Sequence, residues 1–550
     1  MIPPPSFKRF GANLRMTAPA SSFRRWRWTA AALAAVAVFA VLAGRFWHPH
    51  YGFTKFVQLD EADARSGIPE IRAHPVFTYE GFNGYDGAAY TQIAFHPLLD
   101  SPDLQPALGN VPYRARRILG SALAWLIAGG DPARIARTYA ALNLAVWAAL
   151  ALLLWRVLPV TDARSFTAWA GVLFSAGALH SVRLALTDLL AATLVTAALG
   201  LGERQRPAGA LGLLAAAGLA RETALAAVVG LWRGPGRALP PWRANLVRTA
   251  LVALPLVAWI GYVRWKAGPA AQGFGNFTWP ILGWIEKGSD TFADFAREPA
   301  YRWLNTTTLL ALLALTAQAA FFLRPRSIWH RGAPVPNETS LWEDPWWRAG
   351  ASGVAMLAML GTSVWEGHPG AATRVLLPMS VAFAVLAVRS RASWGWIFAG
   401  SLTVFSGVLA LWHVPHDPRE LAAGRFTHGS YLVKVDTGWF GAERDGRTVW
   451  SWAATRGTLA IETAPRRAAT VTLRLKLRAI TPRPIEVRAG DEVLWRGTVS
   501  EKLEWIQCPV RLPDDGRLIV EVRSTAAGVP ENSHADARAL GFAIYGIALD

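Results

Sequence analysis

Apolar side chains come in blocks along most of this chain. The run Trp28 to Gly44 is rich in Ala, Val and Leu, and further apolar blocks cover 138–155, 166–180, 184–201, 208–232, 247–265, 303–322, 350–366, 372–388 and 394–413. Most run 15 to 20 residues, close to the ~20 that a helix needs to cross a hydrocarbon core. The block 208–232 is too long for one crossing and is interrupted by Arg221-Glu222, which predicts two shorter helices meeting at that charged pair. The stretch 118–130 is apolar but short, and predicts an interfacial or re-entrant piece.

After about residue 414 the blocks give way to alternation. Val471, Leu473, Leu475 and Leu477 interleave with Thr472, Arg474, Lys476 and Arg478, the period of two of a half-buried strand. Leu518, Val520 and Val522 alternate in the same way. Further short strands are predicted at 431–436, 447–452, 457–463, 485–489, 492–498, 504–510 and 541–549, separated by turns such as Pro513-Asp514-Asp515-Gly516. Many short strands at regular spacing predict an all-β sandwich of ordinary domain size.

Composition sharpens this picture. Apolar residues make up 52% of the 550 positions, mean hydropathy is +0.23, and only 17% are charged, against about 25% in a typical soluble domain. Disorder and collagen-like repeats are excluded by the same figures. The predicted fold class is a polytopic α-helical membrane protein with a C-terminal all-β sandwich. Its expected parts are a basic tail 1–27, a transmembrane module 28–413 with a long outer loop 45–137, a linker 414–430 and a sandwich 431–550.

The formal charge of +18 would suggest nucleic acid in a soluble protein. Here most arginines sit in short connections between apolar blocks, where they orient the chain in a membrane instead. No zinc-finger spacing, RNA-binding signature or long basic helix is present, so no nucleic-acid partner is expected. The first 27 residues hold Lys8, Arg9, Arg15, Arg24, Arg25 and Arg27 and no acid. We read Trp28 to Gly44 as an uncleaved first span with its N-terminus in the cytoplasm, rather than as a signal peptide. Eleven crossings then place basic residues on every inner connection and the C-terminal domain outside. In that arrangement Asp86, Arg114, Arg117, Arg183, Asp188, Arg221, Glu222, Glu366, His368 and Arg374 all gather toward the outer face. Ionisable groups near a membrane are costly unless paired or solvated, so their gathering marks a functional cavity there.

Two stretches in the outer loop carry candidate chemistry. In Gly84-Tyr85-Asp86-Gly87-Ala88-Ala89-Tyr90, an aspartate between flexible residues is expected to be presented to a cavity from a turn, where it can take a proton from an attacking hydroxyl. In Tyr113-Arg114-Ala115-Arg116-Arg117-Ile118-Leu119, guanidinium groups stand where the chain returns to the membrane. They can bind phosphate bidentately or anchor the chain to anionic lipid. Glu80 and Asp188 read as caps or hydrogen-bonded structural acids before a second carboxylate or metal ligands, Glu222 as the neutraliser of Arg221, and Glu366 as a substrate contact or simply an exposed loop residue. His96, His180 and His368 have no zinc-ligand spacing and Cys508 is the only cysteine, so no protein-held metal is expected. No Gly-x-Gly-x-x-Gly loop or Asp-x-Asp motif of nucleotide-sugar chemistry is present. Aromatic belts account for most of the 27 tryptophans. Trp439, Trp450 and Trp452 read as sandwich core before sugar-stacking platforms.

A basic leader and one span, followed by Gly-Tyr-Asp-Gly-x-x-Tyr at 84–90 and Tyr-Arg-x-x-Arg-Ile-Leu at 113–119, resemble bacterial multi-pass, mannosyltransferase-like glycosyltransferases of the GT-C class. Arg221-Glu222 after a small-residue helix, Ala372-Thr373-Arg374-Val375-Leu376-Leu377-Pro378, Gly438-Trp439-Phe440 with Glu443, Trp450 with Trp452, and the closing stretch 539–545 fit the same resemblance. The resemblance implies hexosyl or pentosyl transfer on the outer face of a bacterial inner membrane. The donor would be a sugar linked to polyprenyl phosphate and the acceptor an envelope glycan or glycolipid. It implies Asp86 as the base, and Arg114, Arg117 and Arg374 as holders of the phosphate, with Tyr85, Tyr90, Arg221 and Glu366 as further substrate contacts. No organic cofactor is implied, and help from a divalent cation is left open. Ala88 and Arg116 depart from the pattern, each standing where Gln is usual, which bears on substrate specificity more than on reaction class. The rival readings are a transporter or flippase for lipid-linked sugars and a non-catalytic partner in polysaccharide assembly. A transporter calls for matching internal halves with broken helices at mid-membrane, and no such halves are visible.

Overall fold

The computed structural model describes residues 20–79, 83–232, 241–269, 275–324, 343–415, 425–428, 431–445, 448–463, 468–531 and 537–549. Glu80, most of the basic tail and most of the expected linker lie outside the described residues. Among the described residues, five helices are long and apolar enough to cross a membrane: Trp26–Gly44, Pro132–Val157, Trp242–Ala267, Pro299–Leu323 and Trp394–Trp412.

The other apolar blocks from which eleven crossings were expected form shorter helices, and the reason is local. Block 166–180 is split: Ala163–Leu173 starts from an Asp162 capping box, and Ser175 caps a second helix, Ala176–Arg183. A serine hydroxyl that accepts from a backbone N–H three residues on favours a new helix start over continuation. Block 184–201 begins only at Asp188, because Ala185 adopts a positive φ of 48°. Block 208–232 is two helices meeting at Arg221, as its charged pair predicts. Pro207–Ala220 is α-helical, Glu222–Leu231 is a 3₁₀ helix, and Arg221 between them is extended.

Segment 45–137, expected as an outer loop, is built among its described residues largely of short helices, including Asp86–Phe95, Val111–Arg114 and Ile118–Ala128. They are held by side-chain hydrogen bonds to carbonyls. Tyr79 Oη donates to Lys55 O (2.6 Å), Ser121 Oγ to Tyr90 O (2.8 Å) and Trp259 Nε1 to Ala115 O (2.7 Å).

The helices end on two opposite sides of the bundle. Helix Asp188–Glu203, about 24 Å long at 1.5 Å per residue, runs from one to the other. At its far end Arg389 donates to Glu203 (2.5 and 3.1 Å) and approaches Val157 O, tying three helices together. At its near end lies the cavity described below.

Among the described residues of 425–549, all regular structure is β. One sheet has six strands, whose spatial order is Glu492–Val499, Arg483–Ala489, Arg517–Ser524, Arg456–Thr463, Tyr431–Val435 and Arg425–His428. The second has five, in the order Glu504–Leu512, Ala469–Ala479, Phe542–Leu549, Thr448–Ala453 and Glu443–Asp445. Strand Arg425–His428 falls inside the segment expected to be linker, because its backbone pairs antiparallel with Tyr431–Val435 and extends the sheet by one edge strand. The alternation seen in the sequence is the burial pattern. Leu473, Leu475 and Leu477 from one sheet and Ile461, Val487 and Val522 from the other share one core with Cys508 and Phe542. Trp439 belongs to that core, with its ring edge-on to Phe542. The β region meets the helical part through Leu432, which packs with Tyr51, Phe77 and Tyr79 of the outer loop.

Truncating Leu475, fully buried between the sheets, is expected to destabilise the protein by about 2–5 kcal/mol through lost transfer energy and a residual cavity. Ile519→Ala, on the exposed face of the neighbouring sheet, should change stability by less than about 0.5 kcal/mol. Thermal unfolding of the full chain followed by the β-sheet circular dichroism signal checks the contrast.

Candidate functional site

A cavity of about 750 Å³ opens at the near end of the bundle, and its lining gathers residues from seven separate stretches of chain. Tyr85, Asp86 and Tyr90 come from the outer loop, with Tyr113, Arg116 and Arg117 further along it. Asp188 comes from a helix start, and Arg221 and Glu222 from the junction between two helices. Asn276 and Phe277 form part of one wall, Met356 and Met359 belong to an apolar side, and Arg374 comes from the helical turn Ala372–Val375.

Each polar group is held by an identifiable device. Asp86 does not sit in a turn, as its flanking glycines suggested, but is the first residue of helix Asp86–Phe95. The Tyr85 N–H, donated to Gln58 O (3.2 Å), holds the preceding residue extended. A carboxylate in a first turn is also favoured by the unpaired N–H groups there. Gly87 is required by close approach: a Cβ would collide with the Leu184 carbonyl and lie 2.9 Å from that of Val57. Gly177 plays the same part for Arg374, since a Cβ there would strike the backbone of Thr373. Asn143 donates to Ser181 O (2.9 Å) and Leu186 O (2.8 Å), and Tyr139 to Ala185 O (3.0 Å), so the non-helical link that presents Asp188 is pinned from a neighbouring helix.

The charges pair in a pattern that chain order did not suggest. Arg117, almost fully buried, donates from Nε and Nη2 to both oxygens of Glu222 (3.0 and 2.9 Å) and from Nη1 to Tyr90 Oη (2.7 Å). Glu222 therefore neutralises Arg117 and not its neighbour Arg221, which pairs with Asp188. The physical reason is direction: the extended backbone at Arg221 turns consecutive side chains apart. Burial raises the Tyr90 phenol above its ordinary pKa, against the lowering effect of Arg117, so Tyr90 stays a neutral hydroxyl.

Arg114 lies 3.7 Å from Asp86 through Nε and donates from Nη1 to Leu108 O (2.8 Å). The Asp86 carboxylate remains 36% exposed, half open to the cavity. Arg374 is buried, with Nη2 donating to Tyr85 Oη (2.7 Å), while Nε and Nη1 find no acceptor among the described residues. Both nitrogens are closed to solvent behind the cavity wall, so the guanidinium has buried donors still lacking an acceptor and a positive charge that attracts an anion in the cavity. Arg116 also faces the cavity, its Nε donating to Tyr113 O (3.2 Å) and its guanidinium over the Tyr113 ring.

The structure thus brings together Tyr85, Asp86, Tyr90, Arg117, Arg221 and Arg374, with Arg114 beside Asp86. Glu366 is exposed and lies outside this lining. Asp188, read from the sequence as a cap or structural acid, and Arg116, read as a departure from the family pattern, also line the cavity. The signal for Asp188 was the Arg-x-x-x-x-Asp spacing from Arg183 to a helix start, which chain order alone could not tie to Arg221. Next to the cavity, Asp60 accepts from Gly84 N (2.7 Å) and Asp63 N (2.6 Å). Asp63 titrates above its usual range because it is half-buried and close to Asp60, an effect that Arg114 opposes. Among the described residues, no group of three or more His, Cys, Asp or Glu side chains is placed to hold a metal ion.

No protein-family profile and no curated protein matches the chain. Among solved structures it has some likeness to the single-particle cryo-EM structure of arabinosyltransferase EmbB from Mycobacterium smegmatis, at 11% identity with a TM-score of 0.18. The matched region covers 84% of this chain and 64% of that one, so the chain spans less than two thirds of that enzyme's length. Likeness at that level assigns neither a family nor an activity.

Glu222→Ala removes the carboxylate from a guanidinium that is only 8% exposed, and should cost about 2–4 kcal/mol of stability, since an unpaired buried charge is left behind. The double variant Arg117→Met/Glu222→Leu should recover much of that loss. Unfolding midpoints of the detergent-solubilised protein, combined as a double-mutant cycle, test the coupling.

Proposed function

We propose that this protein is a multi-pass membrane glycosyltransferase that takes its sugar from a polyprenyl-phosphate-linked donor and delivers it to a glycan or glycolipid. The observation that carries the reading is one cavity lined both by a half-open carboxylate, Asp86, and by a buried guanidinium, Arg374, two of whose donors have no acceptor among the described residues. A glycosyl phosphate is already activated, so two tasks remain: deprotonating the acceptor hydroxyl and stabilising the departing phosphate. Asp86 takes the proton as the acceptor oxygen attacks the anomeric carbon, and the bond from that carbon to the phosphate oxygen breaks. Arg374 and Arg116 receive the phosphate charge. Arg114 orients Asp86 from 3.7 Å, and Arg117 acts through Glu222 and Tyr90 as a positioning residue.

In this reading the near end of the bundle faces the extracytoplasmic side of a bacterial inner membrane, with the β domain on the same side. The shorter apolar helices complete about eleven crossings, some of them as pairs joined end to end. Support comes from the arginine-rich connections at the opposite end, where Arg156, Arg204, Arg206, Arg389 and Arg391 collect. Glu366, exposed and away from the cavity, is left without a role in the reaction.

Asp86→Asn, nearly isosteric, is expected to lower transfer by at least about 10²-fold while the protein still inserts in membranes. Arg374→Gln should lower kcat and kcat/KM together if its donors meet charge that develops in the transition state. The assay is release of free polyprenyl phosphate from polyprenyl-phospho-sugars by the reconstituted protein. Unchanged release by the Asp86→Asn variant removes that residue from the mechanism. Movement of an intact lipid-linked sugar across the bilayer without release would make the protein a carrier.

A further inference from the structure

Helix Leu282–Arg297 is not among the elements the sequence pattern predicted, and it presents three faces. One packs inward: Gly283 abuts the Leu360 carbonyl so closely that no Cβ fits, Trp284 joins the core of the helical bundle, and Thr291 is buried. A second carries Glu286, Asp290 and Asp294 at intervals of four. The third has no charge at all. Ile281 and Leu282 at its start, then Ile285 and Phe292, point outward, with Ile285 54% and Phe292 66% exposed. Trp279, just before the helix, is 80% exposed. Apolar side chains at i, i+3/4 and i+11 beside an acidic stripe give the pattern of a helix lying at an apolar–polar boundary.

The helix is also physically joined to the cavity. Thr278 N donates to Met359 O (3.0 Å), Ile281 N to Ala358 O (2.6 Å), and Gly361 N to Asn276 O (2.9 Å). Asn276, Phe277, Met359 and Leu360 are themselves cavity lining. The segment that leads into the helix is therefore a cavity wall. On its other side the chain turns at Pro299–Tyr301 into the membrane-long helix that ends at Leu323, against which helix Leu282–Arg297 packs. That long helix exposes Trp303 and Leu313, so the uncharged face continues a surface already suited to lipid.

We propose that helix Leu282–Arg297 is an in-plane interfacial helix. Its Ile285–Phe292 face sits among lipid acyl chains and its Asp290 edge in the headgroup layer, which sets the cavity-wall residues Asn276 and Phe277 at the membrane surface. The occupant of the face is the bilayer, and the argument is continuity with the lipid-suited surface of the adjoining long helix. An amphipathic helix of this kind binds by burying its apolar face a few ångströms below the headgroups. The inference rests on the chain being a membrane protein and not on the reaction proposed above.

Cys508, the only cysteine, is buried, which suits single-site spin labelling of the full chain. Ile285→Cys, Phe292→Cys and Asp290→Cys, with Leu313→Cys as a control on the long helix, are labelled in a Cys508→Ala background. The labelled protein is reconstituted in phosphatidylcholine–phosphatidylglycerol vesicles. Collision with oxygen, which concentrates in lipid, is compared with collision with a water-soluble nickel chelate. The oxygen-to-nickel ratio is expected to be several-fold higher at positions 285 and 292 than at 290. Positions 285 and 292 report the same face independently, so failure of one variant to insert leaves the other to decide. Nickel-dominated collisions at both, with an oxygen-dominated Leu313 control, overturn the proposal, because the face is then in water. Shielding of both from either reagent also overturns it, because a protein surface then covers the face. A nickel-dominated Leu313 control sinks the membrane reading itself and the proposal with it.

Discussion

An apolar helix bundle tolerates buried charge only where each charge finds its opposite. Arg117 locked by both oxygens of Glu222 and by Tyr90, with Arg221 paired to Asp188, meets that condition at one end of the bundle. Truncating either partner would strand a charge in low dielectric, where the penalty is several kcal/mol. The two pairs join the outer loop, a helix start and a helix junction into one frame. The cavity is what that frame encloses.

The frame leaves an asymmetry. Arg117 and Arg221 are neutralised by their carboxylates, whereas Arg374 is bound to the neutral hydroxyl of Tyr85 and keeps two buried N–H groups without an acceptor among the described residues. Asp86, 3.7 Å from Arg114, is half-exposed in the same hollow. Arg117 has all its donors matched, whereas Arg221, Asp188 and Arg374 keep buried polar atoms without a hydrogen-bond partner among the described residues, beside the half-open Asp86. Glycine at 87 and at 177 serves this arrangement from a distance, because each lets a backbone approach that a side chain would block. The wall residues Asn276 and Phe277 link the same hollow to an amphipathic helix, so membrane seating and cavity geometry are mechanically one question.

Much was legible from pattern alone, for reasons that lie in local physics. Alternation over 471–478 needs only the pleat of a strand to become a buried face, and Leu473, Leu475 and Leu477 are buried as the pattern requires. The charged interruption at 221–222 broke a long apolar block into two helices because neither charge tolerates a lipid-facing position. The gathering of Asp86, Arg117, Arg221 and Arg374 was readable because block lengths and basic connections order the chain ends of a bundle. Helix boundaries were not readable: a Ser175 cap and a positive φ at Ala185 divide apolar blocks at points where hydropathy does not change.

Partner choice among the charges is where local rules stop. Glu222 adjoins Arg221 in sequence but binds Arg117, 105 residues away, because an extended residue between two helices sends neighbouring side chains in different directions. Whether a guanidinium is a strut or an open donor depends on who else reaches it. Arg117 and Arg374 look alike in sequence and differ only in the acceptors that folding brings. Composition, block length and alternation settled the helical and β parts and the end of the bundle where charge collects, since each is a property of a segment and its solvent. The pairing of those charges, and hence which of them remain free to act, was set by packing, since it depends on distances between segments that no single segment encodes.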